Sequence, residues 1–120
     1  MLEVNDYVRI NMDNRNCIGI GRVSRIVNET IYVNMNNKYN LPVPFQIDKV
    51  VKHSKQLIDL IEVGDYVNGY KVDYVTGHYF SVESSDKFDL CFEEQDIKTI
   101  LTKEQYITNC YKVGGEDETN

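Results

Sequence analysis

The side chains most able to do chemistry in this sequence are the carboxylates between residues 86 and 96. Asp86, Asp89, Glu93, Glu94 and Asp96 lie close together along the chain. Such a group could bind a divalent cation or supply an acid and a base to a reaction. However, it lacks the spacing and the glycine of a calcium-binding loop, and a carboxylate-pair enzyme also needs an enclosing pocket. The group therefore predicts an acidic surface exposed to solvent.

The histidines and cysteines do not form a metal-binding or catalytic motif. His53 and His78 each lack a Cys, His or Asp at ligand spacing. The cysteines are Cys17, Cys91 and Cys110, an odd number without a C-x-x-C pair, which argues against a disulfide framework and against a zinc site. The sequence therefore predicts a protein that is not an enzyme and needs no metal or cofactor.

Charge is divided unevenly along the chain. The net charge is −6, but residues 1–57 have a balance of +3 and residues 58–120 a balance of −9. All four arginines, Arg9, Arg15, Arg22 and Arg25, lie in the first 25 residues. The division indicates either two surfaces with different partners or compositional drift that ends in a short acidic tail.

The composition is that of an ordinary globular protein, with 42% hydrophobic and 27% charged residues. No apolar run approaches the roughly 18 residues of a membrane span, and the N-terminus has no signal-peptide pattern. We therefore expect a cytoplasmic protein that does not enter a membrane.

Short β-strands are the elements that must position these side chains. Asn68-Gly69 lies between alternating apolar residues and predicts a tight hairpin, because both central turn positions require a positive φ. In the first strand, the alternation predicts that Val4, Val8 and Ile10 face the core, and that Asn5, Tyr7 and Arg9 face solvent. Gly19 and Gly21 in the second strand predict a bulge or a sharp bend.

Helix is expected in only one place. Thr102 and Gln105 form a capping box, which predicts a short helix near 102–108. The segment 54–61 is compatible both with one helical turn behind Ser54 and with an extended strand.

An internal repeat organises the chain. Asp6-Tyr7-Val8 corresponds to Asp65-Tyr66-Val67 at an offset of 59, and Asp48, Ser54 and Lys55 correspond to Asp96, Thr102 and Lys103 at an offset of 48. We therefore predict a first β-module at 1–53, a linker at 54–61, a second β-module at 62–113 and a disordered tail at 114–120.

These sequence segments resemble two groups of known proteins. Asn5-Asp6-Tyr7-Val8 with Gly21 to Ile26, and Gly64-Asp65-Tyr66-Val67 with Gly69 to Val72, resemble the strands of small Src-homology-3-like barrels. The resemblance implies a mainly β protein of two tandem barrels packed together. In addition, residues 56–113, through Leu60 to Gly69 and Asp96 to Tyr106, resemble small uncharacterised proteins of Firmicutes phages and mobile elements. That resemblance implies that the gene belongs to a phage or mobile element. It does not point to any catalytic residue.

The main functional hypothesis is binding to another protein, because tyrosine and asparagine suit adaptable recognition surfaces. The acidic second module could occupy a basic groove on a bacterial host protein, such as a defence nuclease or nucleoprotein complex. In a phage setting this predicts an inhibitor of host defence of the anti-CRISPR kind. The residues expected at the contact are Tyr7, Tyr32, Asn34, Tyr39, Tyr66, Tyr70, Asp86, Asp89, Glu93 and Glu94.

Nucleic-acid binding by the first module is the alternative, with tyrosines as stacking partners for the bases. Residues 1–57 have a net charge of only +3 and residues 58–120 one of −9, so the electrostatic signal for nucleic-acid binding is weak. A structural role in a virion, or a homodimer built through exposed strand edges, also stays open. The basic residues expected to contact nucleic acid are Arg9, Arg15, Arg22, Arg25 and Lys38.

Overall fold

The computed structural model describes residues 1–12, 17–35, 41–83 and 90–109 of the chain. Over these residues the protein is mainly β, with two five-stranded antiparallel sheets and one short α-helix. None of the helices in the described part of the chain has the length and apolar character that crossing a membrane requires.

The first sheet is built from the N-terminal half. Its strand order is β4-β3-β2-β1-β5, and a 3-10 turn at Ile47–Lys49 leads into the last strand. The strands are β1 (Tyr7–Asn11), β2 (Ile18–Val27), β3 (Thr30–Asn34), β4 (Pro42–Gln46) and β5 (Val50–Ser54).

The second sheet repeats this arrangement with shorter strands. Its order is β9-β8-β7-β6-β10, and a 3-10 turn at Glu94–Asp96 again precedes the last strand. The strands are β6 (Tyr66–Val67), β7 (Tyr70–Val75), β8 (Phe80–Val82), β9 (Leu90–Phe92) and β10 (Ile100–Leu101). Among the described residues the two outer strands of each sheet do not pair with each other, so both sheets are open.

Three local predictions are confirmed. The Asn68-Gly69 hairpin joins β6 to β7, with φ of 55° at Asn68 and 86° at Gly69. Helix α1 covers Lys103–Asn109. Its capping box forms as predicted, because Gln105 N donates to Thr102 Oγ1 and Thr102 N donates to Gln105 Oε1, both at 3.1 Å.

The repeat is visible in matching backbone hydrogen bonds. Asp6 N donates to Glu3 O and Val23 N donates to Asp6 O in the first sheet. In the second sheet Asp65 N donates to Glu62 O and Val72 N donates to Asp65 O. Asn5 and Gly64 occupy the same position, with φ of 78° and 98°. Asparagine tolerates this left-handed conformation better than most residues, so the first copy forms the bend without a glycine.

Each sheet has its own apolar core. Val8, Ile10, Val23, Ile31 and Val33 form the first. The second includes Ile58, within a 3-10 helix at Leu57–Leu60, and Ile61, which directly follows it, so the helical alternative for this segment is the observed one. The other buried members of the second core are Val67, Val72, Phe80 and Val82.

Three expectations for the first strands are wrong. Arg9 was expected to face solvent, but its side chain is 1% exposed, whereas Val4, expected inside, is 47% exposed. The 3-10 helix at Leu57–Leu60, the bend before β6 and helix α1 cover the Arg9 side chain, and the apolar pattern within β1 contains no information about these distant segments. The bulge lies at Ser24, between the Val23 and Arg25 pairings, while pairing through Gly19 and Gly21 is regular.

Gly21 is needed because β3 approaches it closely. A Cβ at this position would lie 2.6 Å from Met35 Sδ and 2.9 Å from Asn34 O, and would also meet Val33 Cγ1. We expect Gly21→Ala to lower the free energy of unfolding by about 1–3 kcal/mol, as overpacking does, measured by urea denaturation. Gly77→Ala is the control, because nothing lies within 4 Å of a Cβ there. Equal stability of the two variants would contradict this account.

Candidate binding surface

A buried arginine joins the two sheets. Arg9 Nη1 donates to Asp65 Oδ2 at 2.7 Å and Arg9 Nη2 donates to Asp65 Oδ1 at 2.9 Å, which gives a two-pronged ion pair. Nη1 also donates to Leu60 O, and Nη2 to Glu104 Oε1, both at 3.1 Å. Arg9 and Asp65 are 1% and 0% exposed. Arg9 therefore links β1 to the bend before β6, to the end of the 3-10 helix and to helix α1.

Asp65 is the centre of this network. Besides Arg9 it accepts hydrogen bonds from Glu62 N at 2.8 Å and from Lys103 N at 3.0 Å, so it also ties helix α1 to the bend before β6. Burial alone lowers the pKa of Arg9, but the hydrogen bond to Asp65 and the charges of Asp65, Glu62 and Glu104 outweigh burial and raise it. Arg9 therefore stays protonated and supplies the positive charge of the junction.

The equivalent aspartate of the first sheet has a different set of partners. Asp6 is 2% exposed and accepts hydrogen bonds from Glu3 N at 2.9 Å and Lys55 Nζ at 2.8 Å. His53 Nδ1 lies 3.4 Å from the same carboxylate. The Lys55 hydrogen bond lowers the pKa of Asp6 below its ordinary 3.8; burial opposes this, while Glu3 N and the Lys55 and His53 charges reinforce it.

We expect this carboxylate to make stability depend on pH in acid. Since the pKa is lower in the folded state, the contribution is fully present above 3.8 and is lost as the pH falls through the folded value. The urea midpoint of wild type should therefore exceed that of Asp6→Asn near neutral pH, and the difference should shrink below pH 3.8. Asp48→Asn, at an exposed position, serves as control. A difference that stays constant into acid would contradict the assignment.

The open face of the first sheet pairs arginines with tyrosines. Tyr7, Arg22 and Asn34 lie opposite one another on β1, β2 and β3, and Arg25 lies opposite Tyr32. The Arg22 guanidinium lies 5.0 Å from the Tyr7 ring centre and that of Arg25 lies 4.5 Å from the Tyr32 ring centre. Both are cation–π distances.

The bulge at Ser24 creates this arrangement. Arg22 and Arg25 are three positions apart, so in a regular strand they would point to opposite faces. The extra residue shifts the register between Val23 and Arg25 and returns Arg25 to the face of Arg22. Ser24 Oγ donates to Tyr32 O at 3.1 Å beside the bulge.

A groove of about 490 Å³ runs between this face and the second half of the chain. Asn68 positions one wall, because its Oδ1 accepts from Lys98 N at 2.8 Å and Thr99 N at 3.1 Å, and its N donates to Thr99 O. The hairpin turn therefore holds the loop before β10 in place. The lining residues are Tyr7, Ile20, Gly21, Arg22, Asn34, Met35, Leu57, Ile97, Lys98, Thr99 and Ile100.

The structure brings together only some of the predicted site residues. Tyr7, Asn34 and Arg22 line the groove, and Tyr32 and Arg25 lie on the same open face. Arg9, expected to contact nucleic acid, is instead buried in the junction. Arg15, Lys38, Tyr39, Asp86 and Asp89 lie outside the described residues, as does the predicted tail at 114–120.

The remaining predicted residues lie in the second half, away from that face. Tyr66 stacks on Tyr106 of α1 with ring centres 4.5 Å apart, whereas Tyr70 is 40% exposed. Glu93 is exposed and caps the 3-10 turn at Glu94–Asp96, while Glu94 Oε1 accepts from Ile58 N at 3.1 Å. The described residues contain no group of three or more His, Cys, Asp or Glu side chains placed to hold a metal ion.

Sequence reasoning missed the second wall of the groove. Ile97, Lys98 and Thr99 carry no motif, and they reach the first sheet only through the packing of the two halves. Asn68 offered the one usable signal, since a turn asparagine commonly hydrogen-bonds neighbouring backbone. Comparison of the chain with protein-family models, with curated proteins and with solved structures gives no match.

Proposed function

We propose that this protein works by binding a partner protein, without catalysis, through the open face of the first sheet and the groove beside it. The observation that carries the proposal is the composition of this surface. Tyrosine, arginine and amide side chains surround an apolar floor, and these residue types are enriched at protein interfaces.

A buried link between the two walls of the groove supports the proposal. The groove has one wall on each half of the chain, and the Arg9–Asp65 pair joins those halves in a buried position. A preorganised surface loses less conformational entropy on binding than one assembled on contact.

We also propose that the partner is a bacterial host protein in a defence complex, and that the protein inhibits it in the cytoplasm as anti-CRISPR proteins do. The support is the resemblance of residues 56–113 to phage and mobile-element proteins, and the acidic balance of residues 58–120. An acidic surface can occupy a groove that otherwise receives nucleic acid.

Affinity capture tests both parts. The tagged protein should recover one bacterial protein or complex reproducibly from a lysate, and expression should reduce defence against phage in cells. A variant with Arg22→Glu, Arg25→Glu and Tyr7→Ala should recover less of it. Failure to recover a specific partner, together with undiminished defence, would contradict the proposal.

Single-strand nucleic acid is a second candidate, favoured by the two cations, Arg22 and Arg25, that share one face of the first sheet. It predicts affinity that falls steeply as salt rises. Absence of measurable DNA or RNA binding at low salt would remove it.

We further propose that each sheet is a variant of the Src-homology-3-like small barrel. Both halves share one strand order, and both have a 3-10 turn before the last strand. An experimental structure of the whole chain tests this, with each five-stranded sheet curved around its own core as the expected result.

A further inference from the structure

We infer that the groove binds an extended segment of the partner in which acidic and apolar side chains alternate. This rests on the proposed protein-binding function and narrows it to one kind of occupant. The groove has a volume of about 490 Å³, which lies within the usual range for ligand-binding pockets. It is an open trough and not a closed cavity. An extended chain suits such a shape, since its side chains point alternately to opposite sides.

The floor of the groove selects apolar side chains. Ile20 and Met35 come from the first sheet, and Leu57, Ile97 and Ile100 from the second half. All five are half-buried, so each still presents apolar surface to solvent. Covering that surface would contribute about 25 cal/mol for every Å² removed from water.

The rim of the groove selects carboxylates. Arg22 and Lys98 line it, Arg25 lies on the adjoining face, and no carboxylate belongs to the described lining. Over the described ranges, none of these three cations takes part in a salt bridge, although the chain as a whole has a net charge of −6. An arriving acidic group would therefore find donors that no carboxylate of the described ranges neutralises.

Geometry prepares the arginines for this role. Arg22 and Arg25 lie over Tyr7 and Tyr32, and Arg22 Nε donates to Asn5 O at 3.1 Å. A guanidinium held over a ring keeps its edge available, and that edge matches the two oxygens of a carboxylate. Its conformational freedom is already reduced before a ligand arrives.

The same stacking disfavours nucleic acid as the occupant. Bases bind single-strand proteins by stacking on exposed aromatic faces, and here a guanidinium lies over one face of Tyr7 and of Tyr32. The balance of −9 over residues 58–120 also repels a phosphate backbone, whereas a short peptide carries few charges.

A displayed library of random peptides tests the inference directly. Selection on the full-length protein should enrich peptides in which Asp or Glu alternates with Leu, Ile or Phe. Affinities of synthetic copies are then measured by fluorescence anisotropy, with a twenty-residue oligothymidine as a second probe. Selection of basic peptides, or of none, would overturn the inference, as would oligothymidine binding that Arg22→Glu abolishes.

Charge-reversal variants test whether a selected peptide binds in the groove. The double variant Arg22→Glu/Lys98→Glu should weaken a selected peptide at least about tenfold, because like charges then meet across the contact. Lys52→Glu makes a single charge reversal on the exposed edge strand β5, outside the groove, and should change affinity less than about twofold. Lys98→Glu alone tests the loop wall, because Lys98 is held there through its backbone N, which donates to Asn68 Oδ1, and a substitution leaves that group in place. Equal loss in the control would place the peptide elsewhere and overturn the inference.

Capture from a lysate separates this inference from the proposed function. If wild type and the double variant recover the same partner equally, protein binding stands and the groove assignment falls. If wild type recovers no partner and defence is unaffected, the proposed function fails, and peptide selection then reports on the groove by itself.

Discussion

Replacement of Asp65 by alanine is expected to lower the free energy of unfolding by about 3–5 kcal/mol. The change leaves the Arg9 guanidinium buried without its two-pronged partner, and it also removes the acceptor of Glu62 N and Lys103 N. A buried charge without a partner costs far more than the loss of an exposed ion pair. Chemical denaturation followed by circular dichroism measures the effect.

Two controls make the result specific. Asp48→Ala removes an exposed carboxylate in the first half and should change stability by less than about 0.5 kcal/mol. The double variant Arg9→Met/Asp65→Leu removes both charges and should recover much of the loss, because apolar residues of similar volume can replace a buried pair. If Asp65→Ala were as mild as Asp48→Ala, the two halves would not depend on this ion pair.

Replacement of Phe80 by alanine is expected to cost about 3–5 kcal/mol, as is usual for a buried aromatic residue. Phe80 is 0% exposed in the core of the second sheet, and its ring centre lies 5.6 Å from that of Phe92. We also expect the first sheet to lose stability, because the side-chain partners of Arg9 all lie in the second half. Methyl NMR signals of Val33 and Val72 report on the two sheets during a thermal melt.

The two signals should disappear together, at a lower temperature than in wild type. Tyr79→Ala, next in sequence but 41% exposed, is the matched control and should have a small effect. If Val33 kept the melting temperature of wild type while Val72 melted early, the sheets would be independent units, and a groove with one wall on each would not be preorganised.

These outcomes bear on binding as well as on stability. The wall at Ile97 to Ile100 belongs to the second half, and the Tyr7–Arg22–Asn34 row belongs to the first. A variant that loosens Arg9 should therefore weaken a groove ligand without changing any residue that contacts it. Loss of the junction would also expose buried polar groups of both sheets to water.

Local structure followed from sequence wherever neighbouring residues decide it. Asn68-Gly69 formed its turn and Thr102 with Gln105 formed its capping box, because each depends on a few adjacent residues. The Asp-Tyr-Val repeat marked two bends that share the same hydrogen bonds, with Asn5 replacing Gly64. The choice of β-strands followed from the alternation of apolar residues.

Tertiary structure alone decided where Arg9 and the groove lie. An arginine alternating with apolar residues has the same local pattern whether it meets water or a second sheet, and its partner Asp65 is 56 residues away in the chain. The Ser24 bulge changed the face of Arg25 through pairing with β3, which the strand itself does not encode. Short-range turns and caps are set by backbone chemistry within one segment, whereas burial, ion pairing and grooves depend on which distant segments pack together.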